Sequence, residues 1–598
     1  MKACPVDQKI SKRVRRTYIS LLASLSLILG ATLAPASVAG EPRKILTTWL
    51  PYYSLKTYLP AALNSASLIK EVMPFWYSIN YSAATKKATI NDSYTPGNPS
   101  VPVAQTIGTL RNAGFKLIPT ISDGTTKLVL ARALADPMGR KNIITSISNL
   151  IDTYGFDGID LDFEGFAFID GRSSWVSTEP AWVSFISELG ATLHAKNKIL
   201  SVTTPYQYTG TVTDPGYYVY AWARIAPSID RLRIMTYDYS TSRPGPIGPI
   251  VWVEKTVQYA ISVMPASKVW VGLPGYGKDW VTKVEGVCPS NLASVVKVGA
   301  KAATFHMKDA AANATAYGTV PTYDEQYQES TFTYQKSYPG VTSSGLATSC
   351  TATRTVWYQN AQSYSVRANL VAKYKLGGVA TWILGMEEPL ALQAIATVAS
   401  TIAPSKVLST LSVDKNQIAY GSAVLVNGVF TLEDKLPIAG MPVRIEGKSP
   451  SDASWRVLAN GVTAIDGRFS SALLLAKGTT IRLASDASWE RMESVSSEQV
   501  VSVARAVEVS VPTTAKAGSN VEVRATVNPR SAGASVTLKR LTDGKWRSVG
   551  SPVQTDSQGI ASFILSKEVR GVSTFALEVA QDATYQLVTT PPFSIIVR

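Results

Sequence analysis

Histidine is nearly absent: only His194 and His306 occur in 598 residues. A histidine-rich zinc site and a Ser-His-Asp triad are therefore disfavoured as sources of chemistry. Cysteine is almost as scarce, at Cys4, Cys288 and Cys350, which excludes a small disulfide-dense scaffold. Charged residues make up only 17% of the chain and hydrophobic residues 45%, the balance of a globular protein. Beyond residue 39 no apolar run is long enough to read as a membrane-spanning helix, so no integral membrane segment is expected after it. A basic-aromatic motif of the kind that reads nucleic acid is also missing, so no nucleic-acid partner is expected.

The N-terminus has a distinct pattern. Lys9 to Arg16 is basic, Ile19 to Leu33 is apolar, and Ser37-Val38-Ala39 is a small-x-small site. That order reads as a secretory signal peptide over residues 1–39, with Gly40 beginning the mature chain. The Arg15-Arg16 pair hints at a twin-arginine route. Much of the basic excess sits here: Lys2, Lys9, Lys12, Arg13, Arg15 and Arg16 stand against Asp7. The remaining basic bias suits an anionic wall or surface. In an oxidising compartment Cys288 and Cys350 form an even pair suited to a disulfide.

From residue 40 to 403 strand-like runs alternate with runs of helical period, the signature of βα units. Strands are expected at 45–52, 72–79, 116–122, 158–164, 199–204, 232–237, 269–273 and 378–384. Helices are expected at 101–112, 142–153, 180–195, 252–263 and 388–402. Eight such strands fit an α/β fold, a (β/α)8 TIM barrel, with an α+β insertion between strands 7 and 8 at about 283–355.

The fourth strand carries the chemistry. It lies in YGFDGIDLDFEGF, Tyr154 to Phe166. As a strand, Gly158, Asp160, Asp162 and Glu164 share one face, and Ile159, Leu161 and Phe163 the other. Successive acids would stand roughly 6–7 Å apart. Carboxylates that close cannot all ionise freely, so one proton should persist near neutral pH, as a general acid requires. Acid clusters also occur in solvated loops and calcium sites, but those need irregular backbone. The strict interleaving with apolar residues favours the strand.

Asp157-Gly158-Ile159-Asp160-Leu161-Asp162-Phe163-Glu164 resembles the DGxDxDxE signature of glycoside hydrolase family 18, the chitinase-like family. Met235-Thr236-Tyr237-Asp238 is similar to that family's sixth-strand MxYD element, and Trp382 in ATWILG to its last-strand tryptophan. Thr120-Ile121-Ser122-Asp123-Gly124 departs from the family's SxGG element. Residues 244–253, 272–280 and 357–378 resemble the spore-coat and wall-associated branch, which cuts at N-acetylglucosamine in peptidoglycan.

The resemblance implies a glycosidase acting on an N-acetylglucosamine-containing polysaccharide, chitin or bacterial cell-wall peptidoglycan, with no metal or cofactor. In that family the sugar's own 2-acetamido oxygen attacks the anomeric carbon, an exception to the two-carboxylate scheme. Glu164 is then the acid. Asp162 holds the acetamide N–H, Asp160 tunes Asp162 by sharing a proton, and Tyr237 donates to the acetamide carbonyl. Asp238 and Met235 belong to the sugar-binding set, and Trp382 is a flat floor for a pyranose ring. Trp76, Tyr206, Tyr276 and Trp280 are further candidates for stacking, among many aromatics near the expected groove. Trp76 shares a strand face with polar Ser78, which turns it to the barrel interior. The competing readings are a chitinase-like lectin, which typically lacks the acid at the position of Glu164, and a wall-adhesion protein.

Past residue 403 helical periodicity stops and short alternating strands take over. Ala439 to Ile445 has a counterpart in Ala532 to Leu538, and Trp455-Arg456-Val457-Leu458 in Trp546-Arg547-Ser548-Val549. Two all-β immunoglobulin-like sandwiches are expected, at 404–504 and 505–598. Few exposed aromatics are in prospect there, which favours a spacer or adhesion role over specific glycan binding.

Overall fold

A computed structural model describes residues 41–566 and 568–598. The expected signal peptide and its cleavage site lie outside the described residues. Two compact units follow, Glu41–Ala403 and Pro404–Arg598.

The first unit is a closed barrel. Its parallel strands are, in chain order, Leu46–Pro51, Ile69–Ser82, Thr120–Asp123, Gly158–Asp162, Ile199–Thr204, Arg231–Ile234, Val269–Pro274 and Gly378–Trp382. Each pairs with its sequence neighbour, and the first pairs with both the second and the eighth, so the sheet has no open end. The strands read as near-continuous buried runs because helices cover their outer face and side chains fill the inside. Ile159, Leu161 and Phe163 of the fourth segment are buried, and Phe163 stacks on Phe185 of the helix Trp175–His194 at 6.1 Å. Burying each such side chain stabilises the fold by roughly 1.5–3 kcal/mol.

Two details differ from the sequence expectation. The fourth strand stops at Asp162, not at Glu164. Glu164 has helical dihedrals (φ −76°, ψ −10°) and caps a helical turn, Gly165–Phe168. Gly165 permits that turn, because a Cβ there would collide with the Asp123 carboxylate. The inserted sheet also begins earlier than residue 283. Its strands Ala303–His306, Tyr276–Gly286, Ala347–Tyr358, Glu329–Val341 and Thr322–Asp324 pair antiparallel in that order. Tyr276 and Trp280 therefore stand on the insertion's first strand. Cys288 and Cys350 are joined by a disulfide within it.

The second unit holds two two-sheet sandwiches with one strand order repeated. In the first, Val407–Val413, Ala423–Leu432 and Arg468–Leu474 face a sheet centred on Thr479–Ser485 and Pro442–Lys448. In the second, Ala506–Ser510, Val521–Asn528 and Ile560–Leu565 face Gly571–Val579 and Ser535–Thr542. The cores are mostly aliphatic with two buried phenylalanines each, Phe430 and Phe469 beside Val426 and Leu483, then Phe563 and Phe575 beside Val523 and Leu538. The sandwiches meet where Tyr585 donates to the Ala476 carbonyl at 3.1 Å and stacks under Arg505.

Candidate active site

The carboxyl end of the fourth strand presents its acids at different depths. Asp160 is fully buried. Its oxygens accept from Thr120 Oγ1 at 2.8 Å, Ser201 Oγ at 2.5 Å, Thr203 Oγ1 at 3.1 Å and Trp49 Nε1 at 3.4 Å. Arg233 Nη1 lies 3.5 Å from its Oδ1. These partners come from the first, third, fifth and sixth strands, so barrel closure itself assembles the cradle.

Asp162 is the opposite case. It is 8% exposed, and its Oδ1 is buried with no hydrogen-bond partner. Burial pushes its carboxyl well above the ordinary aspartate range, and the charges of Glu164 and Asp160 push the same way. Glu164 is only partly buried, at the mouth. Burial raises its proton affinity too, with Asp238 adding to it. A carboxyl of raised proton affinity at the rim and an unsatisfied carboxyl oxygen one rung below are suited to give a proton and grip an N–H donor.

Around them the structure gathers most of the residues singled out from sequence. Tyr237, just past the sixth strand, is partly exposed, and burial with the charges of Asp162 and Glu164 holds its hydroxyl protonated. Asp238 follows in the left-handed region (φ 60°), which turns its side chain back to the mouth. It accepts from Tyr276 Oη at 2.6 Å and pairs with Lys278 Nζ at 2.5 Å. Met235 is half-buried at the end of the sixth strand, its backbone N–H bonded to Thr204 O. Trp382 is partly exposed and clusters with Tyr237, Tyr276, Trp280, Ile247 and Trp357.

Two aromatic expectations need correction. Trp76 is fully buried and packs on Tyr94 at 4.4 Å, so it lines no groove. The second strand bulges between Phe75 and Tyr77, which reverses the expected faces. Phe75 takes the interior position instead, edge-on to Trp382 at 5.1 Å. Trp280 is 2% exposed, with Nε1 committed to Thr241 O, so it supports the wall and does not present a free ring. Tyr206 is half-buried and engaged with Tyr208, Tyr217 and Trp252.

Sequence reasoning passed over Arg233, Glu71 and Glu329. Glu329, fully buried on an inserted strand, accepts from the Ile247 and Gly248 backbone N–H groups, Gln359 and Arg367. It ties the insertion to the loop carrying Ile247. The available signal was a lone acid in an otherwise strand-like run. Among the described residues, no group of three or more His, Cys, Asp or Glu is arranged to hold a metal ion.

A closed β/α barrel with a ladder of acids at its C-terminal mouth defines a class of enzyme scaffolds whose chemistry sits at that rim. The sequence profile of glycosyl hydrolases family 18 matches residues 57–387, and the chain belongs to that family. A candidate sporulation-specific glycosylase of Bacillus subtilis is 24% identical, over 44% of this chain and 55% of its own. A cortical fragment-lytic enzyme of the same organism is 23% identical, over 45% of this chain and 59% of its own. The chain thus spans about half to two thirds of the length of these relatives. Among solved structures, a chitinase from Chromobacterium violaceum is similar, with a TM-score of 0.47 and 24% identity, covering 59% of this chain and 98% of that one.

Proposed function

We propose that the protein is an exported hydrolase of β-linked N-acetylglucosaminides, in chitin or peptidoglycan, that retains anomeric configuration through the substrate's own acetamido group. The carrying observation is the contrast between Asp162 and Glu164. One offers a buried oxygen with nothing bound to it; the other is a carboxyl at the rim whose proton affinity is raised by burial.

Glu164 protonates the glycosidic oxygen as the acetamido carbonyl oxygen attacks the anomeric carbon. Asp162 takes the acetamide N–H on its free oxygen and balances the positive oxazolinium. Tyr237 donates to the acetamide carbonyl. The ionised Glu164 then draws a proton from water, which opens the oxazolinium on the same face. Trp382 supplies the floor, with Asp238 and Met235 beside it. The presence of Glu164 favours catalysis over a lectin role.

The assignment of 40–403 as the catalytic domain, and of 404–504 and 505–598 as immunoglobulin-like spacer modules with wall association, belongs to the same proposal. Its test is product mass spectrometry on chitin oligomers, purified peptidoglycan and fully de-N-acetylated chitin oligomers. Release of N-acetylglucosamine-ended fragments from one of the first two, with none from the third, is expected. Equal cleavage of the de-N-acetylated oligomer overturns the acetamido mechanism.

A further inference from the structure

Beneath the acids lies a buried charge chain that the reaction described above leaves unused. Arg233 is fully buried in the barrel floor, on the strand just before Met235. Its Nη2 donates to Glu71 Oε2 at 2.6 Å, and Glu71 is also fully buried. Arg231 closes on the other Glu71 oxygen at 2.9 Å. Burial opposes a charge on Glu71, but Arg233 and Arg231 outweigh it and hold the carboxyl below its usual range. Nη1 of Arg233 donates to Ser201 Oγ and lies beside Asp160 Oδ1.

The direction of these bonds is forced. A guanidinium has donors only. Ser201 Oγ accepts from Arg233, so its single hydrogen points at its other close partner, Asp160 Oδ1. The Trp49 indole also can only donate. Asp160 is thereby surrounded by donors and one cation, an environment for a carboxylate without a proton. The other charged or titratable groups near it are Asp162 on its own strand and Tyr237, both of which feel its charge.

We propose that Arg233, braced by Glu71, is a positioning residue for catalysis: it orients the Ser201 hydroxyl, fixes the charge of Asp160, and leaves the ladder's exchangeable proton to Asp162 and Glu164. This rests on the hydrolase reading above. It differs from the expectation that Asp160 shares its proton with Asp162. A single proton is shared by the upper rungs: it sits on Glu164 when Asp162, as a carboxylate, accepts the acetamide N–H, and Glu164 delivers it to the leaving oxygen.

The test is the pH profile of kcat on a soluble chitin oligomer for the full chain, Arg233→Lys, and the charge-balanced pair Arg233→Met with Glu71→Leu. Loss of a nearby cation favours every protonated carboxyl, so both limbs of the pair's profile should move to higher pH. Its kcat at neutral pH should fall at least about tenfold with KM changed less than about threefold. Arg233→Lys keeps the charge, and its limbs should stay with the parent's. Limbs of the folded pair that coincide with the parent's overturn the inference. If the pair does not fold, carboxyl carbon NMR on the unsubstituted chain decides, with signals assigned through Asp160→Asn and Asp162→Asn. Asp162 should take up its proton well above the ordinary aspartate range, and titration of Asp162 within that range overturns the inference. Failure of the parent chain to cleave any oligomer instead overturns the hydrolase reading.

Discussion

The barrel and the C-terminal sandwiches solve the problem of charge in opposite ways. In the barrel, Glu71, Asp160, Arg233, Glu329 and Arg367 are fully buried. In the sandwiches the cores are apolar, and a typical charge cluster, Glu446 with Arg444 and Arg482 at 2.7 and 2.8 Å, sits at a sheet surface with both arginines about a quarter exposed. Buried charge is costly unless partnered and rarely the cheapest way to stabilise a fold. Glu71, Asp160 and Arg233 lie together under one strand end, where fixed charges act far more strongly because water is excluded, while Glu329 and Arg367 tie the insertion to the loop carrying Ile247. The sandwiches have the opposite requirement: stable packing with no preorganised polar interior.

That contrast can be broken from the top down. Glu164→Gln removes the proposed proton donor while keeping the shape, and should lower kcat by about 10²–10⁴-fold with oligomer affinity retained, read by steady-state kinetics and calorimetry. Loss of binding in parallel with turnover would show that the rim acid is a structural prop. Glu329→Ala leaves Arg367 buried without its partner and frees two backbone donors, so it should cost about 3–5 kcal/mol in denaturant unfolding of the barrel. A change within the range of surface substitutions would mean that water restores the network.

Asp162→Asn should act in the other direction. The folded state binds the Asp162 proton more tightly than the unfolded chain does, because burial raises its proton affinity. Stability from that proton is complete in acid and is lost as pH rises through the folded-state value. The asparagine variant should therefore be more stable near neutral pH, by on the order of 1 kcal/mol, with the gain fading on acidification, while activity falls. A gain independent of pH would point to packing instead. The smallest effect is expected from removing residues 404–598, with turnover of short soluble oligomers staying within about twofold if each unit has its own core. A large drop would make the sandwiches part of the active machinery.

Much of the acid-bearing strand was legible because period-two alternation sets acids against apolar residues, which favours a strand over a loop. What the alternation could not show is where it stops. Gly165 and the Asp123 carboxylate start a helical turn, so Glu164 reaches the mouth from a cap and not from a strand. The same limit misplaced Trp76. One extra residue on the second strand flips the faces, and Phe75 becomes the neighbour of Trp382. Glu71 and Arg233 were illegible for another reason. Each is a lone charge in an apolar strand, and only closure of the barrel brings them together across 162 positions. The tail repeat was visible because residues recur at matching points, such as Gly440 and Gly533, both at positive φ where the chain must reverse tightly.

The most direct measurement is anomer-resolved proton NMR of a chitin oligomer during the first minutes of cleavage by the full-length protein. If Asp162 grips the acetamido group while it attacks, the new reducing end must appear first as the β-anomer and drift to the equilibrium mixture only afterwards. First appearance of the α-anomer would mean that water attacks from the opposite face, and the account built on Asp162 and Glu164 would be wrong.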